Sequence, residues 1–420
     1  MTTEANARPA ALPLGFEWGA VKAGIKASGK PDLAVAVAPN GASATAMFTS
    51  NQLVAAPVTV GRRHLQATSG RVSTVLVNAG NANCATGTAG IDACMDTCIA
   101  AAETFGCIFD EVFPSSTGII GVPFPAGKVI AALSEAKLAL GSTSEHAESF
   151  ARAILTTDTK LKVARAVVEV GDEGKQVRIF GAAKGAGMIA PRLGGPVTPV
   201  VPVGPPHATM LVYLFTDLVA EPADLAAMLQ PAVQRSFNSI SIDGDTSTND
   251  TVLLLASGAS GIALDEPVRE AFQNALKLVC ESLAHKIVDD GEGVTHVVTL
   301  HIQSARDEAE AMQVARSIAN SPLCKTAWSS GDPNWGRLLA AAGYSGVTFD
   351  PERVTVMIGP QVVFTGGLRA PDFDKAAAHA TMLQREYTIL IDLGQGHAEC
   401  RFLTCDLTAE YVAINADYST

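Results

Sequence analysis

Aromatic residues make up only 5% of this 420-residue chain, and charged residues only 17%. The first scarcity leaves the cores to Ala, Val, Leu and Ile and favours close backbone packing over aromatic anchors. The second accompanies a 48% hydrophobic content, enough for large shared cores. Basic residues never occur four in a row, and the net charge is −12 with a pI near 5.1. A nucleic-acid partner is therefore excluded, because neutralising phosphates takes a basic patch. No stretch of eighteen apolar residues exists, so no transmembrane helix is expected. Residues 1–13 are polar and alanine-rich without an apolar h-region, so no export signal is expected. The eight cysteines form no CxxC pair and the histidines lack ligand spacing to them, which argues against a metal site. Scattered thiols without an export signal suit the reducing cytoplasm. HExxH is absent, and no Ser-His-Asp order is readable. Neither Lys184-Gly185-Ala186-Gly187 nor the run 121–128 has Walker A spacing, so nucleotide binding is unsupported.

What the chain does contain is a mixture of strand-like and helix-like segments. Strand-like runs lie at 33–38, 74–78, 164–170, 209–215, 251–255, 294–302, 354–358 and 388–393. Helix-like segments lie at 91–104, 126–138, 145–155, 222–234, 266–284, 305–318 and 372–383. In one of them Val268, Phe272, Ala275 and Val279 share a stripe, with Pro267 in the first turn where a missing N–H costs little. Strands do not alternate strictly with helices, so the fold class is α/β in the sense of mixed α+β layers, not a doubly wound sheet. Residues 194–207, GGPVTPVVPVGPPH, hold five prolines and three glycines and read as an extended loop.

Several polar runs carry possible chemistry. In Ala208-Thr209-Met210-Leu211 a small residue and a threonine precede an apolar run. If the chain is cut before Thr209, the cut creates a nucleophile together with its base, an α-amine of pKa about 7.7–8. Taken alone, Thr209 more simply begins a buried strand. Ser115-Ser116-Thr117-Gly118 offers a hydroxyl and a flexible amide to an oxyanion; read in isolation it is a turn leading into the next helix. Lys184 beside glycines places a cation where backbone can approach a carboxylate, or is a solvated lysine on a glycine turn. The runs 243–250 and 331–337 read as capped turns. Glu292, in Asp289-Asp290-Gly291-Glu292-Gly293, either faces an ammonium or sits in a solvated acidic turn.

In this order the runs resemble the glutamate N-acetyltransferase / ornithine acetyltransferase family of arginine biosynthesis. The resemblance is carried by Gly24-Ile25-Lys26, Asp32-Leu33-Ala34, NAGNAN at 78–83 and Ser116-Thr117-Gly118. It continues through Thr156-Thr157-Asp158, KGAGMIAP, ATML at 208–211, DGDTSTNDTV, DGEG, GDPNWGR and the last residues, 415–420. It implies a self-processing, N-terminal-nucleophile-type acyltransferase fold, cut at Ala208–Thr209 into an α chain of residues 1–208 and a β chain of residues 209–420. The two chains stay associated, as an α2β2 assembly. By the same resemblance Thr209 is the nucleophile, and Thr117 and Gly118 form the oxyanion hole. Thr156 or Thr157, Lys184, Thr209, Glu292, Asn415 and Thr420 bind substrate, Lys184 suiting a carboxylate and Glu292 the ornithine ammonium. The implied reaction moves acetyl from N2-acetyl-L-ornithine to L-glutamate through an acetyl-threonine ester, with no metal or redox cofactor. Acetyl-CoA is open as a further co-substrate. A same-fold acyltransferase or amidohydrolase of secondary metabolism, or an uncleaved non-catalytic chain, is the alternative.

Two features depart from the family pattern. The family places its threonine about a dozen residues after the lysine, whereas here the separation is 209 − 184 = 25. The excess corresponds to residues 194–207, read here as a tolerated loop because long surface insertions cost little. His296 stands where the family has lysine, which weakens any local positive field.

Overall fold

The computed structural model describes residues 11–171, 174–195 and 210–417. Its larger sheet contains β1 (Glu17–Val21), β2 (Leu33–Thr49), β3 (Arg71–Asn81), β4 (Val112–Ile119), β5 (Lys162–Val170), β6 (Lys175–Lys184), β7 (Leu193–Gly194), β8 (Leu211–Thr216) and β9 (Thr251–Ala256). The strands run in the order β4-β3-β2-β9-β8-β6-β5, with β1 and β7 also paired to β2. β3–β4 and β8–β9 are parallel pairs, and the remaining pairs are antiparallel.

Strand β2 joins two layers. Its first part pairs with β3, a register shift falls between Val37 and Ala42, and its second part pairs with β9. Side chains alternate accordingly, as successive strand residues must. From β2 and β3, Ala34, Ala36, Val75 and Val77 enter one core together with Phe180, Leu211, Tyr213, Phe215, Leu253 and Leu255 from β6, β8 and β9. The two layers therefore face each other across a shared interior. The outer residues Leu33, Val35 and Leu76 pack beneath α2 (Gly87–Phe105) and α3 (Ala126–Leu138), after α1 (Ala56–Ala67). On the opposite outside, Ile179, Val212, Leu214, Val252 and Leu254 pack with α5 (Pro222–Arg235) and α6 (Glu266–Asp289). The result is a helix–sheet–sheet–helix sandwich, with α4 (Ser144–Ala153) supplying Phe150 to the shared interior. Because β8 and β9 are covered on both sides, every one of their residues is buried, which explains their uninterrupted apolar sequence.

A second sheet holds β10 (Val297–Ala305), β11 (Thr355–Ile358), β12 (Gln361–Thr365), β13 (Leu368–Arg369), β14 (Glu386–Asp392) and β15 (Ala398–Cys405). It packs with α7 (Glu308–Ala319), α8 (Pro322–Ser329), α9 (Trp335–Gly343) and α10 (Lys375–Met382) around Trp328, Ile389 and Phe402. The chain then returns to the first body as α11 (Ala409–Asp417). The mixed α/β expectation holds. Among the described residues no helix is long and apolar enough to cross a membrane, and no group of His, Cys, Asp or Glu is arranged to hold a metal ion.

Candidate active site

The polar runs converge at one end of the sandwich, where β4 and β6 finish and β8 and β9 begin. Lys184 is the last residue of β6 and pairs with Leu211, which in turn pairs with Thr251 at the start of β9. Each residue next to these positions is therefore held by a strand on either side.

Ser115-Ser116-Thr117-Gly118 is not a turn but the end of β4, parallel to β3, with Asn78 opposite Ser116 and Gly80 opposite Gly118. Its polar residues and glycine resemble turn chemistry because the strand ends at the site, where hydroxyls replace apolar contacts. Thr117 is fully buried, and its Oγ1 accepts a hydrogen bond from Lys184 Nζ at 3.2 Å. An ammonium only donates, so that contact leaves the threonine O–H free to donate elsewhere. Gly118 has φ +130°, and a Cβ there would lie 2.3 Å from the Gly80 carbonyl carbon. Only glycine fits that backbone approach.

Lys184 is itself buried and belongs to an ionic cluster. The Lys162 ammonium lies 2.6 Å from Asp158 Oδ1 and 2.5 Å from Asp290 Oδ2, all in the interior. Asp158 also accepts the amide of Gly185 at 2.6 Å and that of Thr156 at 3.0 Å. This arrangement ties the 156–157 loop to the glycine run. Burial by itself would raise the Asp158 carboxyl, but Lys184, Lys162 and the Gly185 amide outweigh it and hold it well below the usual carboxylate range. Burial lowers Lys184 in turn, opposed by Asp158 and, more weakly, by Glu292 and Asp250.

Glu292 reaches the cluster from the turn after α6. Its amide donates to the Ala186 carbonyl at 2.9 Å. Its carboxylate lies where a Cβ on Gly187 would stand, 2.6 Å from Oε2. Asn415, exposed on α11, donates from Nδ2 to the same oxygen at 3.0 Å. Thr117 and Lys184 thus form a dry interior, and Glu292 with Asn415 forms a polar rim. Thr156 and Thr157 are half-buried beside it.

Of the residues singled out from sequence, Thr117, Gly118, Thr156, Lys184, Glu292 and Asn415 are brought together. Ala208, Thr209 and Thr420 lie outside the described residues, as does 196–207 of the proline-rich segment; Gly194 closes β7 against Phe48. His296 is not part of the cluster: its Nδ1 lies 2.9 Å from the Gln384 carbonyl and its amide donates to Asp406.

Sequence reasoning missed Asp158, Lys162, Asn249, Asp250 and Asp290. Asn249 Nδ2 donates to the carbonyls of Ala82 at 2.7 Å and Ser116 at 2.9 Å, fastening the start of β9 to the end of β4. Asp250 Oδ1 accepts the Met210 amide at 2.8 Å. Asp243 accepts the amides of Met188 and Ile189 and is pushed up to about 6, by burial first and then by Asp245. The dense Asp and Asn content of 243–250 was the available signal, and capped turns accounted for it equally well. A cavity of about 1440 Å³ lined by Arg192, Arg235, Glu308, Arg316 and Arg401, among others, contains none of the converging residues. The converging residues gather at the strand ends, apart from this cavity.

The sequence profile of the ArgJ family matches residues 17–420. An arginine biosynthesis bifunctional protein ArgJ of Methylococcus capsulatus is 41% identical over 410 residues, 97% of this chain and 95% of that protein. Its counterpart in Thermus thermophilus is 42% identical over 409 residues, 97% of this chain and 99% of that protein. A solved structure of ornithine acetyltransferase complexed with ornithine, from Mycobacterium tuberculosis, is 36% identical with a TM-score of 0.40, covering 43% of this chain and 94% of that one.

Proposed function

The chain belongs to the ArgJ family, and from that premise we propose how its residues carry out acetyl transfer. It is an ornithine acetyltransferase of arginine biosynthesis, moving acetyl from N2-acetyl-L-ornithine to L-glutamate. The chain is cut at Ala208–Thr209 into α (1–208) and β (209–420) chains, which assemble as α2β2 in the cytoplasm. The observation that carries the site assignment is the buried Lys184–Thr117 contact of 3.2 Å beside the strand that begins directly after Thr209 and Met210.

Thr209 Oγ attacks the acetyl carbonyl while its proton passes to the α-amine of the same residue. The Thr117 hydroxyl and the Gly118 amide stabilise the tetrahedral oxyanion, which forms in a water-poor interior where such donors act strongly. Collapse breaks the C–N bond, the departing nitrogen takes the proton back, and ornithine leaves. The glutamate amine then attacks the acetyl-threonine ester, and reversal of the same proton movements releases N-acetylglutamate. Glu292 and Asn415 at the rim hold the ornithine ammonium, and Lys184 attracts a substrate carboxylate, with Thr156 or Thr157 and Thr420 completing the binding set. The route needs no metal or redox group. Acetyl-CoA is a second donor to the same ester, with thiolate in place of amine as leaving group.

Intact-mass measurement tests this directly. Purified protein is expected as fragments of 208 and 212 residues (420 − 208), the second gaining one acetyl group on brief exposure to N2-acetylornithine. Thr209→Ala is expected to remain one uncut chain without transfer. If that variant splits and transfers acetyl, the nucleophile is another residue.

A further inference from the structure

We propose that the cavity between the two bodies is a second binding site, for a small molecule carrying two or more phosphate groups, anchored by Arg192, Arg316 and Arg401. It lies apart from the residues assigned to acetyl transfer and does not depend on that reading.

The walls come from both bodies. The end of α5 and the middle of α6 form one side, α7 and β15 the other, and Arg192 enters from the segment before β7. Ligand sites favour such junctions. The volume of about 1440 Å³ leaves ample room for a pyrophosphate-sized group. Five cations line it, Arg192, Arg235, Lys277, Arg316 and Arg401, against three carboxylates, Glu281, Glu308 and Glu399. In a chain of net charge −12 this is a local reversal of sign.

The carboxylates are engaged with other partners. Glu281 lies 3.8 Å from Lys277, Glu308 3.9 Å from Arg235, and Glu399 2.7 Å from His301 Nε2. Among the described residues, no carboxylate comes within ion-pair distance of Arg192, Arg316 or Arg401. The sequence carries no acidic side chain between Arg192 and Asp217, so the run after Arg192 supplies none either.

Arg316, on the last turn of α7, is half-buried and donates to the Asn238 carbonyl at 3.0 Å. Asn238 in turn clamps both backbone groups of Leu193, at 2.8 Å and 3.0 Å, so Arg192 and Arg316 are fastened to one residue. Burial first, and then the neighbouring Arg192, push Arg316 below the ordinary arginine value. A guanidinium nonetheless keeps its proton, so an anion placed between the two is what removes their repulsion. Guanidinium forks take phosphate oxygens in pairs. Three of them exceed what the two oxygens of a single carboxylate can serve. A nucleic-acid strand would need a continuous basic track instead. Tyr344, 65% exposed at the same cavity, offers a flat face to a ring carried with the phosphates.

Calorimetric titration of the purified full-length protein with pyrophosphate tests the site. Saturable binding is expected, weakened at least about tenfold in Arg192→Gln/Arg401→Gln. Both of these side chains are exposed, so the double variant should fold and transfer acetyl as the wild type does. Arg316→Gln should also weaken binding, and the double variant covers the case in which losing the Asn238 contact impairs folding. Lys184→Met, altered at the acetyl-transfer site, should bind pyrophosphate like the wild type. ADP titrated alongside identifies what carries the phosphates. Tighter binding than pyrophosphate, lost in Tyr344→Ala, marks a nucleotide, and equal binding marks an oligophosphate. Absence of saturable binding by both probes overturns the proposal. So does binding that survives the double variant, and its loss in Lys184→Met would then place the anion at the acetyl-transfer site.

Discussion

Gly118 and Lys184 show how little freedom single positions have at this site. Gly118→Ala combines a φ of +130° with a Cβ 2.3 Å from the Gly80 carbonyl carbon. Strain of this backbone type alone costs about 1–3 kcal/mol. The clash adds to it, so lower thermal stability and loss of transfer are expected together. Lys184→Met preserves most of the buried volume but removes the lysine donor to Thr117 and one of the cations beside Asp158. A fall in kcat of roughly 10²–10³-fold is expected if the lysine orders the oxyanion donor, measured on protein already cut. A wild-type kcat in that variant would remove Lys184 from the site. Proton linkage gives a third test at this scale. The Asp158 carboxyl is held below its unfolded value, so the stability it contributes is present above about pH 4 and lost as pH falls through the folded value. Asp250 has the opposite sign. Raised to about 7, it binds a proton in the folded chain that the unfolded chain has released, so its contribution falls as pH rises from about 4 to 7. In the uncut Thr209→Ala background, adding Asp250→Asn should therefore stabilise progressively more over that range, as read by melting temperature. A pH-independent difference would show that Asp250 does not titrate there.

Elements differ in how clearly the sequence announces them, and the difference has physical causes. The runs that became β8 and β9 are unbroken apolar stretches because both faces are covered. The stripe Val268, Phe272 and Val279 on α6 is legible because only one side of that helix meets the sheet. The end of β4 was not legible as a strand: Ser115, Ser116, Thr117 and Gly118 have turn composition because they serve the site. α1 was missed for a related reason, since Arg62, Arg63 and His64 interrupt its apolar periodicity. The ordered motifs gave Thr117, Gly118, Lys184, Glu292 and Asn415, whose convergence the fold makes physical. Pairings such as Lys162–Asp290, 128 residues apart, leave no local pattern to read. Asn249 belongs to the same class, and it carries a prediction for the element it anchors. Asn249→Leu would leave the Ala82 and Ser116 carbonyls without their buried donor, at about 1–3 kcal/mol for an unsatisfied buried group. The end of β4 should loosen, with transfer falling more than cutting does. Equal transfer by cut mutant and wild type would mean that β4 is held without this contact.

At the scale of the molecule, the proposed cut does not follow a boundary between folded bodies. It falls between β7 and β8, inside the larger sheet. Strand β8, from the β chain, pairs along its length with β6 of the α chain, from Thr216 opposite Ile179 to Leu211 opposite Lys184. Its neighbour β9 pairs with β2 of the α chain from Ala256 to Thr251. The β chain thus inserts a strand pair between two α-chain strands, and helices α5 and α6 cover residues of both. Separation would expose two ladders of unpaired backbone groups and the apolar faces behind them. Among the described residues the cross-chain ion pairs, Lys160–Asp289, Lys162–Asp290 and Arg178–Asp217, are a minor part of this interface. Association should therefore resist salt: at 1 M, where the screening length is about 3 Å, the fragments of 208 and 212 residues should still elute together. They should part only in denaturant, and the β chain made alone should aggregate through its open edges. Fragments that separate in salt without denaturant would show an ionic interface and contradict the shared sheet.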